Sequence, residues 1–546
     1  MSASLEEFSR DASGARAACL GRAASPWPGL TYAFLALLGV YVVARGMVGA
    51  AARPFWFDEV LTLTIASRAN WHAMWEVIRT GVDSQPPLFY LVERLALHIP
   101  IKQEVALRLP SILAFATLLV CVFLYTKRRG GEWIGCLCAF ALLSTVLFEK
   151  YLIEARGYGL MLAFLALAAV CYQRLPSLRW TVLLGASLFL AESFHYYAVF
   201  AMVPFALAET VASLRTFRIR WPVWVALGCG AVPLLALWRV VSQMKRYYGT
   251  AVFSPPLLSR IPEFYGSLFL TDDVFGVALA VAITGTTLWV AIQAGLAWAR
   301  WMPGVPWDVA PTEVPDWAQE TLVLGLSALP LITYEFLRVM HGGLIVRYVL
   351  PTTVGLVLGL AWVLVALERK TVALVAVLLL VTVGVREMRF WHHWGFDPRV
   401  RDYDTRPMSD FAELQRFVDS SGYLDLPVVF SETMLYLPVV HYCPAEWNRR
   451  LVYLTDERRE LRYEGTDNVV KIVEGMADFL PMRLEDYTKF TAEHRQFLVY
   501  SEPTEWASNA LRDEGNAVQV LKVSGNRWLY LVTMKDGKTE TENGER

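Results

Sequence analysis

The sequence predicts an α-helical polytopic membrane protein of about eleven transmembrane helices, with a long first outside loop and a C-terminal α/β soluble domain. Three observations carry that prediction. The 546 residues are 55% hydrophobic and only 18% charged, with a mean hydropathy of +0.38, too apolar for an ordinary soluble domain. Apolar runs of spanning length recur between residues 29 and 386. Lysine and arginine gather in alternate connections between those runs, as the positive-inside rule requires of a bilayer protein.

A span needs about 20 apolar residues, fewer when it is packed inside a bundle. Candidate spans fall near 29–50, 105–126, 132–148, 158–173, 180–193, 197–213, 222–241, 275–298, 320–338, 348–367 and 371–386. With the N-terminus inside, the inside connections carry Lys127, Arg128 and Arg129, then Arg174 and Arg179, then Arg215, Arg218 and Arg220, then Arg300, then Arg369 and Lys370. The outside connections hold Asp58, Glu59, Asp83, Glu154, Arg156, His195, Tyr196, Asp272, His341 and Arg347. The expected organisation is a cytosolic N-terminal tail at 1–28, a membrane domain at 29–386 and an extracytoplasmic α/β domain at 387–546. Residues 1–28 lack an apolar core, so the first run reads as a retained anchor. Residues 300–319, with Pro303, Pro306, Pro311 and Pro315, read as a non-helical inside loop.

From Arg389 onward, helical stretches (SDFAELQRFVDSSG, EWASNALRDEG) alternate with short β-rich runs (LPVVFS, RLVYLT, QFLVYS, WLYLVTM). That alternation suggests a small layered domain of ~150 residues with its own core. A net charge of -1 argues neither for nor against partners by itself, but no basic tract suggests a nucleic-acid partner. The seven cysteines are scattered, and Cys136 and Cys138 have neither metal-ligand nor redox spacing.

The candidate functional residues sit in the outside connections. The first, 51–104, opens with Phe55-Trp56-Phe57-Asp58-Glu59. The acids there either cap the next helix or carry chemistry. The same loop holds Asp83-Ser84-Gln85-Pro86-Pro87, where a proline pair opens a helix and Asp83 suits an N-cap. Between these motifs, VLTLTIASRANW and HAMWEVIRTG read as amphipathic pieces lying along the interface. The second connection contains Glu154-Ala155-Arg156-Gly157-Tyr158, with ionisable groups at a membrane surface, where desolvation is costly unless a partner or cavity receives them. His195-Tyr196-Tyr197 lies between two spans, and His341-Gly342-Gly343 with Arg347-Tyr348 lies at the outside end of a late one.

The ordered set resembles the GT-C membrane glycosyltransferases. Its members are an acidic pair after the first span, D-x-x-PPL in the same loop, Arg108-Leu109-Pro110-Ser111 entering the next span, E-A-R-x-Y in the second loop and a late R-Y-x-L-P. The likeness is to the protein-mannosyltransferase, aminoarabinose-transferase and Rgt-type branch, and it covers residues 29–386. Relatives often place His or Lys before the proline pair; here Gln85 stands there, an amide that hydrogen-bonds a phosphate but offers it no charge.

The resemblance implies an inverting transfer of a sugar from a polyprenyl-phosphate donor to a hydroxyl of a glycan, lipid or protein acceptor, at the outer face of the cytoplasmic membrane. Asp58 is the expected general base, with Glu59 beside it as a second catalytic candidate. Arg156, Arg347 and Arg108 are expected to hold the phosphate, with Asp83, Glu154, Tyr158 and Tyr348 binding substrate. A divalent cation, Mg or Mn, would suit oxygen ligands such as Glu154, with His195 as a further ligand. Two other classes stay open on the residues alone: a transporter or flippase for a glycolipid, and a membrane-anchored binding protein that works through its outside domain.

Overall fold

The computed structural model describes residues 28–248, 254–268, 316–340, 342–394, 407–480 and 482–535. The expected N-terminal tail, Asp272, the span at 275–298, the prolines of 303–315 and His341 lie outside the described residues. The chain divides into two compact units. One takes in residues up to Ala52, Gln85–Trp238 and Ser254–Asp397; the other takes in Arg53–Ser84, Arg239–Phe253 and the chain from Pro398 onward.

The first unit is helical. The apolar run at 29–50 becomes the helix Pro28–Ala52. The expected spans at 105–126 and 132–148 are the arms of one element, Gln103–Ala141, interrupted at Gly131, whose φ of 80° only glycine adopts without strain. The chain folds back at this point. A Cβ placed on Gly135 would come 2.9 Å from the ring of Phe123, twelve residues earlier, whereas an uninterrupted helix would separate the two by about 18 Å. Tyr158–Tyr172, Leu178–Phe194, Ala198–Thr216 and Trp221–Ala236 follow in order. The run at 320–338 is one expected span but two helices, Asp316–Ser327 and Leu329–Met340, bent by 60°. Pro330, just inside the second helix, has no N–H to carry the ladder across the break. Residues 316–319, expected in the non-helical loop, are helical. Pro351–Ala366 and Arg369–His392 complete the unit. Four helices among the described residues are long and apolar enough to cross a bilayer, or up to six if each bent pair is one span; Tyr158–Tyr172 and Pro351–Ala366 are shorter apolar helices.

A buried ion network ties the first of these helices to the last. Arg45 is fully buried, with its guanidinium over the rings of Phe148 and Phe390 at 4.5 and 4.0 Å. It pairs with Glu149 at 2.8 Å and Glu387 at 3.2 Å, while Arg386 reaches Glu149 at 3.1 Å. Tyr41 donates to Glu387 as well. Charge burial of this kind persists only where every ion is paired.

The second unit is built on a six-stranded sheet of order β3-β2-β1-β4-β6-β5. Its strands are β1 (Val428–Phe430), β2 (Leu451–Thr455), β3 (Leu484–Asp486), β4 (Gln496–Ser501), β5 (Ala517–Ser524) and β6 (Arg527–Thr533). The strands β3, β2, β1 and β4 are parallel neighbours, and β6 and β5 close the sheet antiparallel. The four apolar runs read from the sequence are β1, β2, β4 and β6. Side chains alternate between two cores, Val428, Phe430, Leu498 and Leu529 on one face and Val429, Val452, Val499 and Tyr530 on the other, which gives helices on both faces.

The loop 53–84 belongs to this unit. The backbone N–H of Phe55 donates to the Tyr442 hydroxyl at 2.7 Å, and Arg68 donates to the Phe479 carbonyl at 3.0 Å with its guanidinium 5.0 Å from that ring. The helix Trp71–Ile78 buries Met74, Val77 and Ile78, so the face expected to lie along the bilayer is packed into protein.

Glu460, on the helix Glu457–Glu464, is 3% exposed. Burial, then the charges of Glu464 and Asp467, push its carboxyl up from 4.5 to about 8. The folded form holds the proton more tightly than the unfolded chain, so the stability it contributes is full below 4.5 and lost as pH rises toward about 8. The melting temperature is therefore expected to fall across that window, by the equivalent of a few kcal/mol. Glu460→Gln should flatten the fall, and superimposable melting profiles for the two proteins would refute the assignment.

Candidate functional site

The second-loop motif is built on a short extended stretch. After the single-turn helix Tyr151–Ile153, Glu154 is extended and the helix Tyr158–Tyr172 begins. Ser111, one residue past Pro110, fixes this stretch by donating its hydroxyl toward the carbonyls of Glu154 and Arg156, at 2.8 and 3.1 Å. Gly157 donates its N–H to the Gln85 side-chain oxygen at 3.3 Å. A Cβ at Gly157 would fall 2.1 Å from the carbonyl oxygen of Phe194 and 2.8 Å from that of the Gln85 side chain. Glycine is thus what lets the loops 149–157 and 194–197 touch.

That contact assembles a cluster. The ring of His195 lies 4.6 Å from that of Tyr158 and 4.9 Å from that of Tyr197. Tyr158 meets Tyr151 edge-on at 5.2 Å. The rings of Tyr197 and Tyr348 are 3.8 Å apart. Glu154, Arg156 and His195 are at most 5% exposed, and Arg347 and Tyr348 are half-buried. Burial, followed by the positive charges of Arg156 and Arg347, holds the His195 imidazolium pKa well below its usual range. The ring is therefore neutral at physiological pH. Arg347 and Glu154 also act on Tyr151. The structure thus brings together Glu154, Arg156, Tyr158, His195, Arg347 and Tyr348 of the nominated residues. Arg108 is 2% exposed and donates to the Ala50 carbonyl at 2.9 Å, where it ties the Pro28–Ala52 helix to the Gln103–Ala141 element.

The remaining nominated residues lie in the other unit. Asp58 and Glu59 occupy the first turn of the helix Phe57–Ala66, both buried. Glu59 accepts from the Trp56 N–H at 3.3 Å and closes that turn, the capping role weighed for the pair. Asp58 accepts through its carbonyl from the Thr62 hydroxyl at 3.0 Å, which leaves that contact off its carboxylate. Asp83 is not an N-cap. The helix it was expected to cap begins at Pro87 with Pro86 at the cap position, and the Asp83 carboxylate accepts from the Ser84 N–H at 2.7 Å.

Sequence reasoning passed over Gly157 as a packing constraint, the four-tyrosine surround and Glu192. Glu192 is fully buried on the Leu178–Phe194 helix. A buried glutamate three residues before His195 in an otherwise apolar helix is the signal that was there to be read.

As a metal site the set fits poorly. Among the described residues no three His, Cys, Asp or Glu side chains gather in a way that could hold an ion. The Tyr197 N–H donates to His195 Nδ1 at 3.2 Å, so the neutral ring carries its proton on Nε2 and presents a donor there, not a lone pair.

No family model matches the chain, and no curated protein is significantly similar to it. Solved structures are similar to it. The crystal structure of ArnT from Cupriavidus metallidurans in the apo state superposes with a TM-score of 0.50 at 14% identity, over 93% of this chain and 98% of that one. The structure of the same protein bound to undecaprenyl phosphate gives 0.48 at 14% identity over the same shares. The chain therefore shares the fold of ArnT.

Proposed function

We propose that this protein is an inverting glycosyltransferase that moves a sugar from a polyprenyl-phosphate donor to an acceptor hydroxyl at the outer face of the cytoplasmic membrane, with its N-terminus in the cytosol and its sheet domain outside. The observation that carries the reading is the buried cluster in which two guanidinium groups, Arg156 and Arg347, act on one uncharged imidazole amid four tyrosines. Guanidinium groups match phosphate oxygens bidentately, and in a partly desolvated place their field on an anion is much stronger than in water. ArnT, whose fold is shared, has been solved with undecaprenyl phosphate.

In this reading the acceptor oxygen attacks the anomeric carbon as the bond from that carbon to the phosphate oxygen breaks. The electron pair leaves on the lipid phosphate, whose growing charge Arg156 and Arg347 stabilise. The acceptor proton passes to the Asp58 carboxylate. Glu59 caps its own helix and acts by holding Asp58 in place.

The reading predicts that the purified full-length protein binds undecaprenyl phosphate roughly a hundredfold more tightly than uncharged undecaprenol, the difference expected of two or more hydrogen bonds to a charged group. Arg347→Gln should erase most of that preference. Equal affinity for phosphate and alcohol would remove the basis for the proposal.

A further inference from the structure

The cluster contains one hydrogen-bonding group that the arginine roles do not use. His195 is 1% exposed and ends the Leu178–Phe194 helix in an extended conformation. Its Nδ1 accepts the Tyr197 N–H at 3.2 Å. A backbone amide only donates, so Nδ1 holds its lone pair toward it and the ring proton resides on Nε2. Nε2 meets no hydrogen-bond partner among the described residues. A buried N–H left in that condition costs about 1 to 3 kcal/mol, and such a group persists where a ligand completes it.

We infer that His195 is an uncharged hydrogen-bond donor to an anionic phosphate oxygen of the lipid donor, through Nε2–H, alongside Arg156 and Arg347. The inference rests on the polyprenyl-phosphate reading and gives that site a third, neutral contact. Three features of the chain favour this ligand chemistry. The buried ring packs against those of Tyr158 and Tyr197, tilted at 31° and 36°, so its plane, and with it the Nε2–H direction, is held before anything binds. The Tyr197 N–H locks the tautomer. The two charges acting on the ring are both positive, so an oxygen anion is the complementary acceptor, whereas a metal ion or an ammonium group would be repelled. A neutral donor also leaves the site's charge unchanged when the phosphate departs, so product release is not opposed by a third cation.

Two substitutions separate this role from a purely structural one. Asparagine places its side-chain oxygen where Nδ1 lies, keeps the bond from the Tyr197 N–H and offers nothing at Nε2. Glutamine extends an amide N–H toward the Nε2 position. Undecaprenyl phosphate binding is measured on the purified full-length protein in detergent, with undecaprenol and inorganic phosphate as comparison ligands. Wild-type protein and His195→Gln should bind within about threefold of each other, and His195→Asn roughly tenfold or more weaker, the loss expected for one hydrogen bond to a charged group. Undecaprenol should bind all three alike. Competition by millimolar inorganic phosphate would assign recognition to the phosphate group itself, and its absence to phosphate presented on the lipid; both are consistent with a contact to a phosphate oxygen. Asn binding as tightly as wild type, with Gln impaired, would assign His195 a turn-holding role and overturn the inference while leaving the site intact. A wild-type protein that does not distinguish undecaprenyl phosphate from undecaprenol would overturn the inference and the polyprenyl-phosphate reading together.

Discussion

Asp58→Asn should lower turnover on the order of a hundred- to ten-thousand-fold, the contribution of a positioned general base, while leaving donor binding close to wild type. The substitution keeps the size and hydrogen-bonding capacity of a side chain that is 8% exposed at the first turn of the Phe57–Ala66 helix. It removes the ability to take up the acceptor proton. Glu59→Gln is the informative companion. Glu59 already accepts the Trp56 N–H, and the amide oxygen of glutamine keeps that bond. Glu59→Gln should therefore cost far less than Asp58→Asn, and a reversed order would transfer the base role to Glu59. The check is initial rate against acceptor concentration at saturating donor.

Gly157→Ala is the second large effect. One methyl group would have to fit 2.1 Å from the Phe194 carbonyl oxygen and 2.8 Å from the Gln85 side-chain oxygen. The carbonyl is backbone, so the loops must part. Overpacking of this kind costs about 1 to 3 kcal/mol, and here the displaced segments carry Arg156 and His195. Affinity for undecaprenyl phosphate is expected to drop roughly tenfold or more, together with a lower melting temperature. Gly39→Ala makes the same chemical change on the Pro28–Ala52 helix, where nothing lies within 4 Å, and should behave as wild type. Wild-type affinity in Gly157→Ala would mean that the two loops do not form the site jointly.

The helical part of the fold was legible because a bilayer imposes a length and a polarity on every span. The fold-back at Gly130-Gly131 is flagged by Lys127, Arg128 and Arg129. Pro330 signalled the break in the 320–338 run, yet hydropathy averaging over the window hid it. In the sheet domain β1, β2, β4 and β6 were readable as compact apolar runs. β3 and β5 are the edge strands, and their half-buried to exposed side chains do not look like a buried run. The charged candidate residues stood out in the sequence because charge at a membrane surface is costly and therefore conspicuous. What could not be read was their assembly. The Gly157 constraint depends on a carbonyl 37 positions away in the chain, and Tyr151, Tyr158, Tyr197 and Tyr348 are indistinguishable in sequence from an interfacial aromatic belt. Nor could spacing show that Pro86, not Asp83, stands at the cap of the Pro87–Ala96 helix while the Asp83 carboxylate accepts from the Ser84 N–H next to it.

The central claim is that a sugar leaves a polyprenyl phosphate on this protein. Its most direct measurement is turnover by the purified full-length chain in detergent, with a panel of undecaprenyl-phosphate-linked sugars and a mixed glycan, lipid and peptide acceptor pool, following free undecaprenyl phosphate and glycosylated product together. The expected result is release of undecaprenyl phosphate in equal amount to glycosylated acceptor for at least one sugar, with inverted anomeric configuration, and its loss in Asp58→Asn. Intact donor throughout the panel, or donor carried across vesicle membranes without cleavage, would contradict it.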